Sequence, residues 1–355
     1  MDKEILHLLA SSVSSWSADN QRLLHDIEST EFDNSAHSTL FNELNQLGFL
    51  TLLGEEETHH DVQAVAVLAY ELARFSASAA TMLVQQNLAA WLLAETKQPM
   101  PSAWLALPLF DALVEWPYQG LVATGQGNIT LNGQWQSLPL LPIAAAVLLP
   151  LIRDDDEYFA LAYLPRDSKG LKLSSLIPML GLRGCPQGDL KAQEFLVNVE
   201  QIIGQGAELL NKIKALWSQA EVCMLAIRAA IAASSYQTAL DYAKERYQGG
   251  KIIIEHSLIR KMLADFYREQ ATMDEVWRSL AQGLTPYQAL SAGQQGLAIN
   301  GGEKLPWLTS DGIQILGGVG YMEDYPQERR YRDAKQCEFL LGHPQARTFA
   351  MWEAI

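Results

Sequence analysis

The chain has 355 residues, 48% hydrophobic and 19% charged, a globular composition with enough apolar material for two or three cores. Its formal net charge of -15 repels phosphate, which excludes broad binding to nucleic acid or to an anionic membrane; an anionic ligand would need a local cluster of positive charge or helix N-termini. Cys185, Cys223 and Cys337 stand apart with no CxxC pair, a pattern that predicts a reducing compartment and no disulfide framework.

Residues 1–104 read as helical. The start, MDKEILHLLASSVSSW, lacks the basic opening and long apolar stretch of a secretion signal, so a cytoplasmic location is expected. An amphipathic spacing runs over 40–53, and 61–93 gives a second and third helix rich in Ala, Leu and Val. Thr58 is the expected N-cap, with Asp61 in the box position. The run 55–60, Glu-Glu-Glu-Thr-His-His, resembles a metal cluster, but adjacent histidines diverge on a helix; a solvated helix start is expected and no metal. Pro99 and Pro101 then break the pattern.

From 105 to 205 the period changes to that of strands. The stretch 125–133 reads as strand and turn, with Asn132-Gly133 as the turn signal. A buried strand is expected at 144–151, a polar turn at 154–157, its hairpin partner at 158–164, and another strand at 190–199. The most apolar run, 142–152, is too short to span a bilayer, so no membrane insertion is expected. A small barrel or sandwich accounts for this zone.

Residues 206–355 return to helix. The stretch 207–245 contains neither Gly nor Pro, and its segment 222–233 is apolar on most sides, as for a helix inside a bundle. Gly249-Gly250 is expected to stop it, and further helices are expected at 251–280, 286–299 and 306–316. No GxSxG, Walker or HExxH pattern occurs.

Two motifs narrow the reading. One is Ala-Lys-Glu-Arg-Tyr-Gln-Gly-Gly-Lys at 243–251. The other is Gln-Ile-Leu-Gly-Gly-Val-Gly-Tyr at 314–321, followed by Tyr-Pro-Gln-Glu-Arg-Arg-Tyr-Arg-Asp-Ala-Lys at 325–335. Together with Leu-Arg-Gly-Cys-Pro at 182–186 they resemble the acyl-CoA dehydrogenase family. The resemblance is strong after 236 and weak at the front. It implies an α+β multidomain fold: an N-terminal helical domain over 1–104, a middle β-barrel domain over 105–205, and a C-terminal four-helix bundle over 206–355. With the last motif so near the end, no further domain is expected.

The resemblance also implies a chemistry. FAD and an acyl-CoA thioester are the expected ligands, and an electron-transfer flavoprotein is the expected acceptor. A carboxylate removes the proton alpha to the thioester while the flavin takes a hydride from the beta carbon. In the family a neighbouring subunit grips part of the FAD. By position Arg246 supplies that guanidinium, and Gln314, Gly317 and Gly318 the glutamine and glycine turn. A guanidinium pairs with phosphate oxygens, and glycine lets backbone approach a dinucleotide.

Other family features are missing. The Thr-Glu-Pro and Gly-Ser-Asp stretches correspond to Ala106-Leu107-Pro108 and Leu109-Phe110-Asp111-Ala112. The flavin-ring tryptophan and threonine fall on about Ser137 and Pro139, with Trp135 out of step; proline has no N–H to offer. The catalytic glutamate falls on Leu341, which cannot accept a proton. A second position used by some relatives falls on Ala220, leaving Glu221 and Glu338 as displaced candidates. His256 reads as a packing or helix-face residue. The resemblance thus leaves three arrangements open. The chain is one subunit of a heteromer that completes a sister chain's FAD site, as in family pairs acting on bulky acyl groups. Or it is a self-sufficient dimer or tetramer with Glu221 or Glu338 as base. Or it is a flavin-free scaffold or acyl-thioester-binding protein.

Overall fold

The computed structural model describes residues 2–29, 32–54, 61–108, 122–124, 129–152, 159–353 and 355. The first elements are helices α1 (Lys3–Asp19), α2 (Gln21–Asp26), α3 (Asn34–Gln46), α4 (Val62–Ala73) and α5 (Ala77–Glu95). Short polar residues start them: the carboxylates of Asp2, Asp33 and Asp61 accept from Glu4, Ser35 and Gln63 N–H, and the Ser76 hydroxyl from Ala79 N–H. Asp61 is therefore itself the N-cap of α4, not the box residue; Thr58 and the 55–60 cluster lie outside the described residues.

Helix α5 is buried on every side from Ala77 to Leu93. Its polar residues must then bond internally. Gln86 donates to the Ala103 carbonyl and accepts from Leu105 N–H, while Asn87 donates to the Phe49 carbonyl at 2.8 Å. These amides staple the loops on either side to the helix.

Two four-stranded sheets follow. One has the order β1 (Leu105–Ala106), β4 (Ala146–Ile152), β5 (Phe159–Pro165), β8 (Ile202–Gln205); the other runs β2 (Val122–Thr124), β3 (Ile129–Pro139), β7 (Gln187–Val197), β6 (Leu171–Leu173). The expected hairpin forms as β4 and β5, paired antiparallel from Ala146↔Pro165 to Ile152↔Phe159. Its turn at 154–157 lies outside the described residues, as do 109–112 and 125–128.

Asn132-Gly133 is not a turn. It lies inside β3, where the register with β7 shifts between Leu131 and Gly133. Gly133 takes φ 120°, and the Asn132 side chain accepts from Glu194 N–H at 2.7 Å. The residues that make tight turns serve here as a β-bulge, because the partner strand continues past them.

The C-terminal part is built on α6 (Ala207–Glu245), one 39-residue helix as the Gly- and Pro-free stretch predicts. Every residue from Gln219 to Ala232 on it is buried. Each fully buried Leu, Ile or Val there contributes about 1.5–3 kcal/mol. Among the described residues α6 is the one helix long and apolar enough to cross a bilayer, and its apolar stretch is wholly buried. It packs on α7 (Ser257–Gly283) and α8 (Ala292–Leu316), and also on α4 and α5. Helices α9 (Gln327–Cys337) and α10 (Pro344–Glu353) close the bundle.

Three expectations for this region change. Helix α6 ends at Glu245, before the glycines, and Gly249-Gly250 instead turn a hairpin between β9 (Tyr247–Gln248) and β10 (Lys251–Ile252). The helix expected over 251–280 starts only at Ser257, after that hairpin. The helices expected at 286–299 and 306–316 are one helix, opened by a Ser291–Gln294 capping box and continuing through Pro306. A proline ring meets the carbonyl four residues back, here Gly302's, and Gly301-Gly302 leave the backbone room to yield.

One joint ties the three stretches together. The loop 182–184 of the strand region is held from both sides: Leu182 N–H donates to Asp333 at 2.7 Å and Gly184 N–H to Glu28 at 3.0 Å. Gly181 touches the backbone of Arg332 so closely that a Cβ there would lie 2.1 Å from its carbonyl oxygen.

Candidate functional site

The structure brings Arg246 and the 314–318 turn to one end of the bundle. The small apolar cluster of Ala239, Ala243, Ile253, Ile315 and Leu316 joins the end of α6, the start of α7 and the end of α8 there. Arg246 is the C-cap of α6, and its backbone N–H bonds the Tyr242 carbonyl at 2.9 Å. Its side chain is exposed and makes no ion pair or hydrogen bond among the described residues. Gln314 is likewise exposed at the end of α8. Gly317 caps α8 with φ 66°, a left-handed conformation that favours glycine. Gly318 has ordinary backbone and open space where a Cβ would go, so nothing among the described residues requires glycine there.

The displaced base candidates have structural partners. Glu221 is buried on α6, and its Oε1 accepts from Arg228 Nη1 at 3.3 Å and from Arg347 Nη2 at 2.5 Å. Arg228, wholly buried, also donates to the Cys337 carbonyl at 2.9 Å and to the Leu340 carbonyl at 3.3 Å. Burial pulls its pKa down while Glu221 opposes the shift. Glu221 is thus the shared counter-ion of two guanidiniums, and the triad fastens 337–347 to α6. Glu338, the C-cap of α9, is paired with Lys335. Leu341 is 2% exposed, packed in the main core, with φ 66°.

The strand residues expected beside a flavin ring are closed off. Ser137 N–H is spent on Asp189 Oδ1 at 3.0 Å, and Pro139 has no N–H. The Gln85 amide donates to the Pro139 carbonyl at 3.1 Å, while Leu138, Leu140 and Trp135 are buried. On these observations the ring half of an FAD site does not fit this chain, whereas an exposed guanidinium at the same end of the bundle as an open glycine turn fits the pyrophosphate end.

Sequence reasoning missed the triad and the Glu28–Asp333 joint. Arg228 carried a signal: it is the one charge inside the apolar run 222–233. A charge at such a place must be paired within the core.

Known proteins share this architecture. Residues 214–348 match the family model described as acyl-CoA dehydrogenase, C-terminal domain. The structure superposes on an acyl-CoA dehydrogenase from Geobacillus kaustophilus with a TM-score of 0.87, at 17% identity over 99% of this chain and 98% of that one. Residues 214–348 therefore carry the acyl-CoA dehydrogenase C-terminal domain, and the chain as a whole has the fold of acyl-CoA dehydrogenases. Among curated relatives, cyclohexane-1-carbonyl-CoA dehydrogenase of Syntrophus aciditrophicus is 30% identical over 192 residues, 51% of this chain and 47% of the relative. The chain thus spans about half the length of the curated relatives it matches. An acyl-CoA dehydrogenase complexed with FAD from Bacillus anthracis shares the fold, with a TM-score of 0.76 at 18% identity over 98% of this chain and 66% of that one. So does a chain of the ChsE4-ChsE5 complex from Mycobacterium tuberculosis, with a TM-score of 0.79 at 19% identity over 99% and 97%. The α+β architecture of helical, strand and helical parts is therefore the acyl-CoA dehydrogenase fold.

Proposed function

We propose that this chain is the non-catalytic subunit of a heteromeric acyl-CoA dehydrogenase and completes the FAD site of a sister chain. The observation that carries this reading is an asymmetry. Arg246 and Gln314 are exposed, Gly318 has open space where a Cβ would go, and the Arg246 side chain has no partner among the described residues. Ser137 and Pro139 of the ring half, by contrast, are bonded to Asp189 and Gln85. A guanidinium with no carboxylate partner among the described residues can pair with a pyrophosphate outside. In such a pair the flavin, when bound, accepts the hydride. This chain's part is to hold the pyrophosphate through Arg246 and to let the dinucleotide pass close over Gly317-Gly318. The proton acceptor and the acyl-CoA pocket belong to the sister chain. The relocated-base reading loses support because Glu221 and Glu338 are each spent on a cation.

The test is an absorption spectrum. The chain purified alone is expected to be colourless, and the complex captured by a tag on it from its native host to be yellow and to desaturate an acyl-CoA thioester. Replacing Arg246 by Ala should strip flavin from the complex without splitting it. A yellow, catalytically competent chain with no partner would sink the proposal. Glu221→Gln then serves as a control: flavin reduction by substrate should survive it in the complex.

A further inference from the structure

Arg246 leads into a hairpin whose geometry is over-determined. Gly249 and Gly250 take φ 64° and 84° between the paired residues Gln248 and Lys251, which makes a two-residue turn of the type that needs left-handed backbone at both positions. Ile253 N–H returns to the Arg246 carbonyl at 2.8 Å and closes the loop. The Tyr247 hydroxyl donates to the Gly250 carbonyl at 2.6 Å. From outside the hairpin comes one more bond: His256 Nε2 lies 3.0 Å from the Gln248 carbonyl oxygen, and the imidazole packs against Gly249, where a Cβ would sit 3.2 Å from the ring.

His256 occupies the N-cap of α7, and its side chain does not cap that helix. Ser, Thr, Asn or Asp at this position would satisfy an orphan N–H of the 27-residue helix. A residue that forgoes a cap and spends its side chain on a neighbouring loop breaks a local rule, and such breaks mark positions constrained by something other than local stability.

We propose that His256 is a positioning residue: with its Nε2–H bonded to the Gln248 carbonyl, it fixes the 246–252 hairpin and so aims the Arg246 guanidinium. This rests on the reading of Arg246 as a dinucleotide contact. It gives a residue just past the 243–251 motif, with no role of its own in binding, a mechanical one.

The substitution that separates this from a plain structural role is His256→Ser. Serine caps α7 but cannot reach the hairpin, so thermal stability should hold or rise while the hairpin loosens. On the lone chain, hydrogen exchange at the Ile253 amide should speed by about fivefold, the worth of one neutral hydrogen bond. On the complex captured from the native host, stripped of cofactor and titrated with FAD, the affinity should fall by about fivefold, and more with Arg246→Ala. His256→Gln, whose amide can still donate, should recover part of both. Unchanged Ile253 exchange in the serine variant overturns the proposal. So does unchanged FAD affinity in that variant while Arg246→Ala weakens binding. If Arg246→Ala itself leaves FAD affinity unchanged, the subunit reading fails, and this positioning role fails with it.

Discussion

Asp333 is a buried carboxyl in an uncommon position. Burial, and after it the charge of Glu28, push its pKa up to about 7 from 3.8, against the Leu182 N–H bond that favours the ionised form. The folded chain therefore keeps this proton to about neutrality, whereas the unfolded chain releases it near 3.8. Between those values the folded state binds more protons, so stability falls as pH rises. The contribution is complete below the unfolded pKa and gone above about 7. Its size is on the order of 4 kcal/mol. Asparagine keeps an acceptor for Leu182 and cannot ionise. Asp333→Asn should thus match the parent near pH 3.5 and exceed it at pH 8, when denaturant unfolding is followed across that range. Parallel curves for the two proteins would mean that the joint does not titrate.

At the scale of elements, the Glu221–Arg228–Arg347 triad links α6 to α10 and to the end of α9. Removing one partner of a buried ion group leaves the others uncompensated, at a cost of about 3–5 kcal/mol. Glu221→Gln should lose about that much in urea unfolding, and replacing all three by apolar residues of similar volume should recover most of it. A loss below about 0.5 kcal/mol in the single variant would show that water reaches the arginines. Helix α6 itself was legible, because 39 residues without Gly or Pro leave little alternative. The strand hairpin was legible because an apolar run, a polar turn and a second run admit one pairing. Three other signals misled for a common reason. Asn132-Gly133, Gly249-Gly250 and Pro306 each announce a local interruption, and what the chain does there depends on neighbours distant in sequence. Strand β7 carries β3 past the first, His256 and Ile253 shape the second, and Gly301-Gly302 with the bundle around them let α8 run through the third. The same limit applies to the site. Arg246 and Gln314 stood out by motif, whereas the partners of Glu221 lie 7 and 126 residues away and no spacing rule joins them.

At the scale of the molecule, helical and strand parts are locked together rather than strung out. Arg329 Nη2 donates to the Phe75 carbonyl at 2.7 Å, Arg332 Nη1 donates to the Leu180 carbonyl at 3.2 Å, and the carboxylates of Glu28 and Asp333 bracket the 182–184 loop by accepting from Gly184 and Leu182 N–H. Helix α6, though it opens the C-terminal bundle, packs against α4 and α5 from the first part of the chain. A fragment beginning at residue 207 would expose the part of α6 that α4 and α5 cover, on a helix whose residues from Gln219 to Ala232 are all buried in the whole chain. Exposing a contiguous apolar stripe of this kind drives association. The fragment 207–355 is therefore expected to aggregate or stay in inclusion bodies, while the full chain unfolds in one cooperative transition with equal calorimetric and van't Hoff enthalpies. Size-exclusion chromatography of the fragment and calorimetry of the full chain check the two halves of this expectation. A monodisperse fragment that retains its helicity, together with two resolved heat peaks for the whole chain, would instead mean that the bundle folds on its own and that the joint at Asp333 merely docks it.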